Sequence, residues 1–145
     1  MHPSFVDAGA HLRTTTLDGK ALGYPPARLS AGTTYGDSFN AVGAKSCVLT
    51  ASTGTATGAP TAQKCTASLE SAPTGTSPSW VAVDGSAVFV DGDKKSARRN
   101  VDLTRLPSGH ALLRVKVVAE LTGGTTPTQD VAAAVVLAGF STLPA

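Results

Sequence analysis

Between residues 113 and 121 apolar and polar positions alternate almost without a break. Leu113, Val115, Val117, Ala119 and Leu121 fall on one side, and Arg114, Lys116, Val118 and Glu120 on the other. A period of two is the signature of a β-strand with one buried face. A Gly123-Gly124 turn follows, and the run 131–137 is apolar at both alternating sets of positions. A strand of that kind is expected to be covered on both faces, by the chain's own N-terminal segment or by another subunit. Ala132, Ala133 and Ala134 favour helix on intrinsic propensity, but the run is short and flanked by β-branched residues. The two runs are read as strands of one hairpin that closes a sheet.

The same reading extends backwards along the chain. Residues 98–104 alternate, with Val101 and Leu103 opposed to Arg98, Asn100 and Asp102. Residues 80–83 and 87–90 are short β-rich runs separated by an Asp84-Gly85 turn, and Asp91-Gly92-Asp93 supplies the next turn. Runs at 46–51 and 62–70 flank a Ser/Thr/Gly/Ala loop and are read as a second hairpin, which would set Cys47 opposite Cys65. A cross-strand disulfide and two small core thiols are both compatible with that register, and a reducing cytosol favours the thiols. Residues 1–43 carry Pro3, Pro25 and Pro26 with only short extended candidates, at 12–17 and 34–39. Proline gives no N–H to a ladder, so Tyr24-Pro25-Pro26 is expected at a bend or an edge.

These elements predict an all-β protein, an antiparallel β-sandwich of jelly-roll type with an extended N-terminal arm. The arm is placed at 1–43 and the sandwich at 44–145. The expected core is Val48, Trp80, Val88, Val101, Leu103, Leu113, Val115, Val117, Val135 and Leu137. Because the core signals begin after the arm, removing residues 1–24 is expected to spare folding.

The length of 145 residues suits one domain able to bury its own core. Charged residues make up only 15%, against about 25% in an average domain, so much of the surface must be neutral Ser, Thr, Gly and Ala. The formal net charge of +2 does not by itself point to nucleic acid. The charge is uneven, however: between residues 94 and 116 stand seven basic residues and one acid, Asp102. A solvated face and docking on an acidic protein surface both account for this run, and nucleic acid is the weaker reading because stacking aromatics are missing from 94–105. Met1-His2-Pro3-Ser4 does not begin a secretion signal and no apolar run approaches a membrane span. The expectation is a soluble product of the cytoplasm with no membrane partner.

Motifs for chemistry are sparse. His2, His11 and His110 stand at no ligand spacing with one another or with Cys or carboxylates, so no metal and no cofactor is expected. His110 is read as a surface residue. No nucleophile elbow or phosphate loop is present, and Asp91-Gly92-Asp93 lacks the rest of a calcium loop. No catalytic residue is assigned, and the chain is expected not to be an enzyme. With one Trp, two Tyr and four Phe, sugar platforms are scarce, and Trp80 is better read as a core anchor.

The order of motifs is itself informative: a Ser-Pro-Ser-Trp-Val-Ala-Val strand, a basic run leading into Val101-Asp102-Leu103, then Leu-Arg-Val-Lys-Val-Val, Gly-Gly-Thr-Thr-Pro-Thr, and a terminal strand ending in Leu143-Pro144-Ala145. This order resembles the small β-sandwich structural proteins of tailed bacteriophages that decorate or cement the capsid. The resemblance covers residues 44–145 and leaves the arm unmatched. Residues 71–75 and 106–108 depart from the pattern. Membership would imply a non-enzymatic virion structural protein on the outer capsid surface, made in the host cytoplasm, with the major capsid protein and copies of itself, as a homotrimer, for partners. On that reading Lys94, Lys95, Arg98, Arg99, Tyr24 and Val136 are the candidate capsid or partner contacts. A head-fibre, tail or adaptor component, and a carbohydrate- or cell-surface-binding β-sandwich module, are the alternatives.

Overall fold

A computed structural model describes residues 12–16, 19–75 and 77–140. Ten strands form two antiparallel sheets that face each other: β1 (Gly23–Leu29), β2 (Gly32–Tyr35), β3 (Phe39–Asn40), β4 (Ser46–Thr53), β5 (Ala62–Pro73), β6 (Val81–Ala82), β7 (Val88–Asp91), β8 (Ser96–Asp102), β9 (His110–Thr122) and β10 (Gln129–Ala138). One sheet has the order β1-β10-β4-β8. The other is β2-β9-β5-β6, with β3 also on β9 and β7 also on β5. Most connections cross from one sheet to the other, and the last long strand lies between β1 and β4. That is the jelly-roll arrangement of two interleaved Greek keys.

Period-two patterning explains the core. Leu113, Val115, Val117 and Ala119 of β9 and Cys65, Ala67 and Leu69 of β5 line the inner face of the larger sheet. Cys47, Leu49 and Ala51 of β4 and Val131, Ala133, Val135 and Leu137 of β10 line the smaller one. β5 and β9 run side by side from Ala62↔Thr122 to Ala72↔Leu112 without a register break. This long ladder fixes the larger sheet, because a one-residue slip would turn every one of these side chains outward.

The two expected hairpins are not formed. β9 and β10 lie in different sheets, as do β4 and β5. The reason is that a sandwich needs two inner faces. The apolar set of β10 covers that of β9 from across the core, which it could not do from within the same sheet. The connecting loops cross the end of the sandwich together: Thr57 bridges Thr128, and the Thr125 N–H donates to the Gly58 carbonyl at 2.9 Å. Gly124 makes this crossing possible, with φ +72 and the place of a Cβ only 2.1 Å from the Gly58 carbonyl oxygen. Cys47 accordingly pairs in register with Leu137 and Val101, and Cys65 with Ala119 and Val90. The two are free, buried thiols.

The segment read as an arm supplies β1, β2 and β3, and Leu22, Leu29, Phe39 and Ala41 belong to the core cluster. Residues on both sides of position 43 therefore share one core cluster. Tyr24-Pro25-Pro26 sits, as its prolines require, on the edge strand β1, with a register shift between Tyr24 and Ala27. Arg13 bridges Leu137 of β10 in line with β1, past its Gly23 end. The remainder of the arm, residues 1–11 and 17–18, and the terminal Leu143-Pro144-Ala145 lie outside the described residues.

Of the expected core, Val88, Val101, Leu103, Leu113, Val115, Val117, Val135 and Leu137 are buried. Leu103 is buried from a short 3-10 turn, Leu103–Arg105, capped by the Asp102 side chain. Val48 and Trp80 are only half-buried and do not belong to the core cluster. Val48 falls on the outward parity of β4. Trp80 precedes the two-residue edge strand β6, where its ring lies over the sheet and not under it.

Candidate functional site

With the core accounted for, binding chemistry must come from the two outer sheet faces and the crevices between them. The outer face of the smaller sheet is built from the second alternating set of β10 and β4. Across the strands, Val136 pairs with Val48 and then Asn100, Ala134 with Thr50 and then Arg98, and Ala132 with Ser52 and then Ser96. No charged side chain interrupts the β10 and β4 part of this surface between Ser46 and Ser52. Arg98 stands along its β8 side, and an Arg28–Asp130 ion pair at 3.1 Å stands at its far corner. Small, neutral side chains keep the β10 and β4 part low, and recesses of about 300 and 260 Å³ open where Pro26 and Tyr24 of β1 border it. Ala134 is exposed, while Val48, Thr50, Ala132, Val136 and Ala138 are half-buried. The double covering expected for 131–137 is thus complete on the inner side only.

The candidate contacts are distributed unevenly over this geometry. Arg98 and Val136 share the outer face of the smaller sheet. Lys94 and Lys95 lie in the β7–β8 turn, where their backbones pair with Gly54 and Thr53. Arg99 turns toward the other sheet and donates to the Gly85 carbonyl at 3.1 Å. Tyr24 packs against the core from the opposite edge. The basic run therefore forms no single patch, because successive residues of an edge strand point to opposite faces.

The outer face of the larger sheet carries a different chemistry. The guanidinium of Arg114 lies between two rings, 3.9 Å from the centroid of Tyr35 and 4.3 Å from that of Trp80. Glu70, directly opposite on β5, accepts from Arg114 Nε at 2.8 Å and Nη2 at 2.6 Å. With side-chain exposures of 21% and 12%, this pair is well shielded from water, and stacking plus ion pairing holds the arginine in one place. Lys64 lies over the Phe89 ring, 4.7 Å from its centroid. Tyr35 and Phe89 remain 46% and 53% exposed. Sequence reading missed this cluster, although Arg114, Glu70 and Tyr35 all occupy outward parity positions. The pairing of β2 and β5 with β9, which brings them together, is invisible to periodicity.

A crevice of about 550 Å³ opens between the β6–β7 turn and the end of β8, lined by Val83, Asp84, Asn100, Asp102, Arg105 and Leu106 among others. At its wall Ser71 Oγ lies 2.9 Å from His110 Nδ1. His110 is thus half-buried and engaged, not a free surface residue, because β5 and β9 converge there. A Ser–His contact is one part of a nucleophile–base arrangement. Among the described residues no carboxylate bonds the histidine, and Ser71 is 1% exposed. Asp102, on the same crevice, is held below the usual carboxylate range by the hydroxyl of Thr104, then by the Thr104 N–H and Arg105. Burial pushes the Cys47 thiol up to about 12, and burial followed by the charge of Asp91 raises Cys65. Neither cysteine is a thiolate near neutral pH, as inert core thiols should not be. Among the described residues no three His, Cys, Asp or Glu side chains come together to hold a metal, and no helix is long and apolar enough to cross a membrane.

No family model and no curated protein matches the chain. Among solved structures it is similar to the xylan-binding domain of a family 22 carbohydrate-binding module, with 16% identity and a TM-score of 0.39. That match covers 70% of this chain and spans only 60% of the other. It is also similar to the C-terminal family 22 carbohydrate-binding module of Clostridium thermocellum Xyn10B, at 15% identity and a TM-score of 0.43, over 94% of this chain and 98% of that one. A chain of Desmodium yellow mottle tymovirus matches at 12% identity and a TM-score of 0.31, over 83% of this chain and 88% of that one.

Proposed function

We propose that the chain is a non-enzymatic structural protein of a tailed-phage virion, attached to the outer surface of the capsid through the outer face of its smaller sheet. The observation that carries this reading is the neutral surface made by β10 and β4, in which Ala132, Ala134 and Val136 present an apolar stripe that the chain itself leaves partly open. Such a surface carries no dense positive charge for nucleic acid, and a protein shell can desolvate the stripe together with the recess that Tyr24, Pro26, Thr50 and Ala132 line beside it. Arg98 at its margin adds steering toward an acidic partner and little affinity. The major capsid protein is the proposed partner. Self-association into a trimer on the same shell is consistent with the resemblance to decoration proteins.

The test is attachment to shells stripped of this protein. Ala134→Arg places a charge in the centre of the stripe without touching the core. It should keep the wild-type thermal midpoint and lose co-sedimentation with the shell. Unchanged co-sedimentation would remove this face from the account. Copy number separates decoration from a head-fibre, tail or adaptor part: hundreds per particle for the former, a few to dozens for the latter. A second reading, a carbohydrate- or cell-surface-binding module, is favoured by the exposed rings of Tyr35 and Phe89 on the opposite sheet.

A further inference from the structure

We infer that the outer face of the larger sheet binds a neutral, extended oligosaccharide of equatorially substituted sugars, using Tyr35 and Phe89 as its two stacking platforms. This deepens the second reading above and is independent of shell attachment. In register, Tyr35, Lys116 and Ser68 form one row across β2, β9 and β5. Thr33, Val118, Thr66 and Phe89 form the next row, reaching β7. Tyr35 and Phe89 are therefore three strands and two residues apart. At ~4.8 Å per strand and ~3.4 Å per residue their Cα atoms stand about 16 Å from each other. A single sugar cannot span that separation, and a chain of several can.

The strip between the rings has the right chemistry for such a ligand. Lys116, Ser68 and Thr66 have no side-chain hydrogen bond or ion pair among the described residues, so their donors and acceptors are available to hydroxyl groups. The rigid Arg114–Glu70 pair, clamped by Tyr35 and Trp80, holds one platform in place before any ligand arrives, which lowers the ordering cost of binding. Charges on the face balance: Lys64, Arg114 and Lys116 against Glu70, Asp91 and Glu120. That balance disfavours an acidic polymer. Equatorial substitution leaves the two faces of each sugar ring as flat C–H surfaces, which stack on exposed aromatic rings, while the hydroxyls at the ring edge meet the polar strip.

The full chain is titrated with cellohexaose, xylohexaose and chitohexaose, with hexagalacturonic acid as the charged comparison. Binding is followed by calorimetry and by the fluorescence of Trp80, the chain's one tryptophan. Saturable binding of at least one neutral hexamer, stronger than that of the acidic one, is expected. Tyr35→Ala and Phe89→Ala should each weaken it about tenfold, corresponding to ~1.4 kcal/mol; Phe89→Ala should retain the thermal midpoint, whereas Tyr35→Ala lowers it by removing one wall of the Arg114 stack, so its binding is measured well below its own midpoint. Ala134→Arg should bind the sugar as the wild type does. The inference is overturned if no neutral hexamer binds, if the acidic hexamer is preferred, or if both ring variants bind normally. It is also overturned if the ring variants lose shell attachment and not sugar, which would make this face a protein contact.

Discussion

Replacing Val117 with Asp tests the inner face of β9 most sharply, because Val118 beside it supplies a control on the same strand. Val117 is 0% exposed and sits between Ala67 on β5 and Thr34 on β2. Losing the burial of a valine side chain costs about 2 kcal/mol. The introduced carboxyl finds no cation within the core cluster, so it stays neutral. Holding it protonated at pH 7, about 3 units above its usual pKa of ~3.9, costs about 4 kcal/mol at ~1.36 kcal/mol per unit. The sum of about 6 kcal/mol matches or exceeds much of the ~5–15 kcal/mol that such domains possess. Val118→Asp puts the same group on the outer face, where it should cost about 1 kcal/mol or less. Urea unfolding followed by Trp80 fluorescence measures both. Val117→Asp should be unfolded or nearly so at pH 7 and regain most of the ionisation cost at pH 4, where the unfolded carboxyl is itself about half protonated. If the milder Val117→Ala costs less than the ~1.6 kcal/mol of its two lost methyl groups, or if Val117→Asp and Val118→Asp unfold alike, the assignment of faces is wrong.

Other consequences can be measured on the same footing. Deleting residues 1–24 should abolish stable folding, and Leu22→Ala should cost ~2–5 kcal/mol in urea titration, because Leu22 is 1% exposed and its carbonyl accepts from the Val135 N–H at 3.0 Å. The raised thiol of Cys47 makes an alkaline limb: its contribution is whole below the unfolded value of 9.0 and is lost as pH climbs toward about 12. Cys47→Ala should flatten that limb in a stability–pH profile. Glu70→Ala strands Arg114 between its rings, and a loss of ~1–3 kcal/mol with a changed Trp80 emission is expected. An unchanged spectrum would show that the ion pair does not hold the stack.

Strands were readable from the chain wherever one face is buried, as at 98–103 and 113–121, because a period of two reports burial directly. What alternation does not report is which sheet a strand joins. Two consecutive strands with complementary apolar sets look the same whether they pair side by side or face each other across a core, and here β9 and β10 do the latter. Trp80 misled for a related reason. Its bulk argues for burial, but an amphipathic ring can equally spend its face on a guanidinium, and the arginine that accepts it lies thirty-four positions away. The basic residues of 94–99 were found but not their dispersal, which depends on the edge position of β8. Leu22 and Phe39 were hidden among prolines and glycines, Leu22 in a bend just before β1 and Phe39 in a two-residue strand, neither of which shows a period.

Counting copies of this chain on purified virions, by quantitative mass spectrometry with a labelled standard, tests the proposed role most directly. The account predicts hundreds of copies per particle, located on the head and lost from particles made with the Ala134→Arg variant. Particles that carry none of this chain would contradict it.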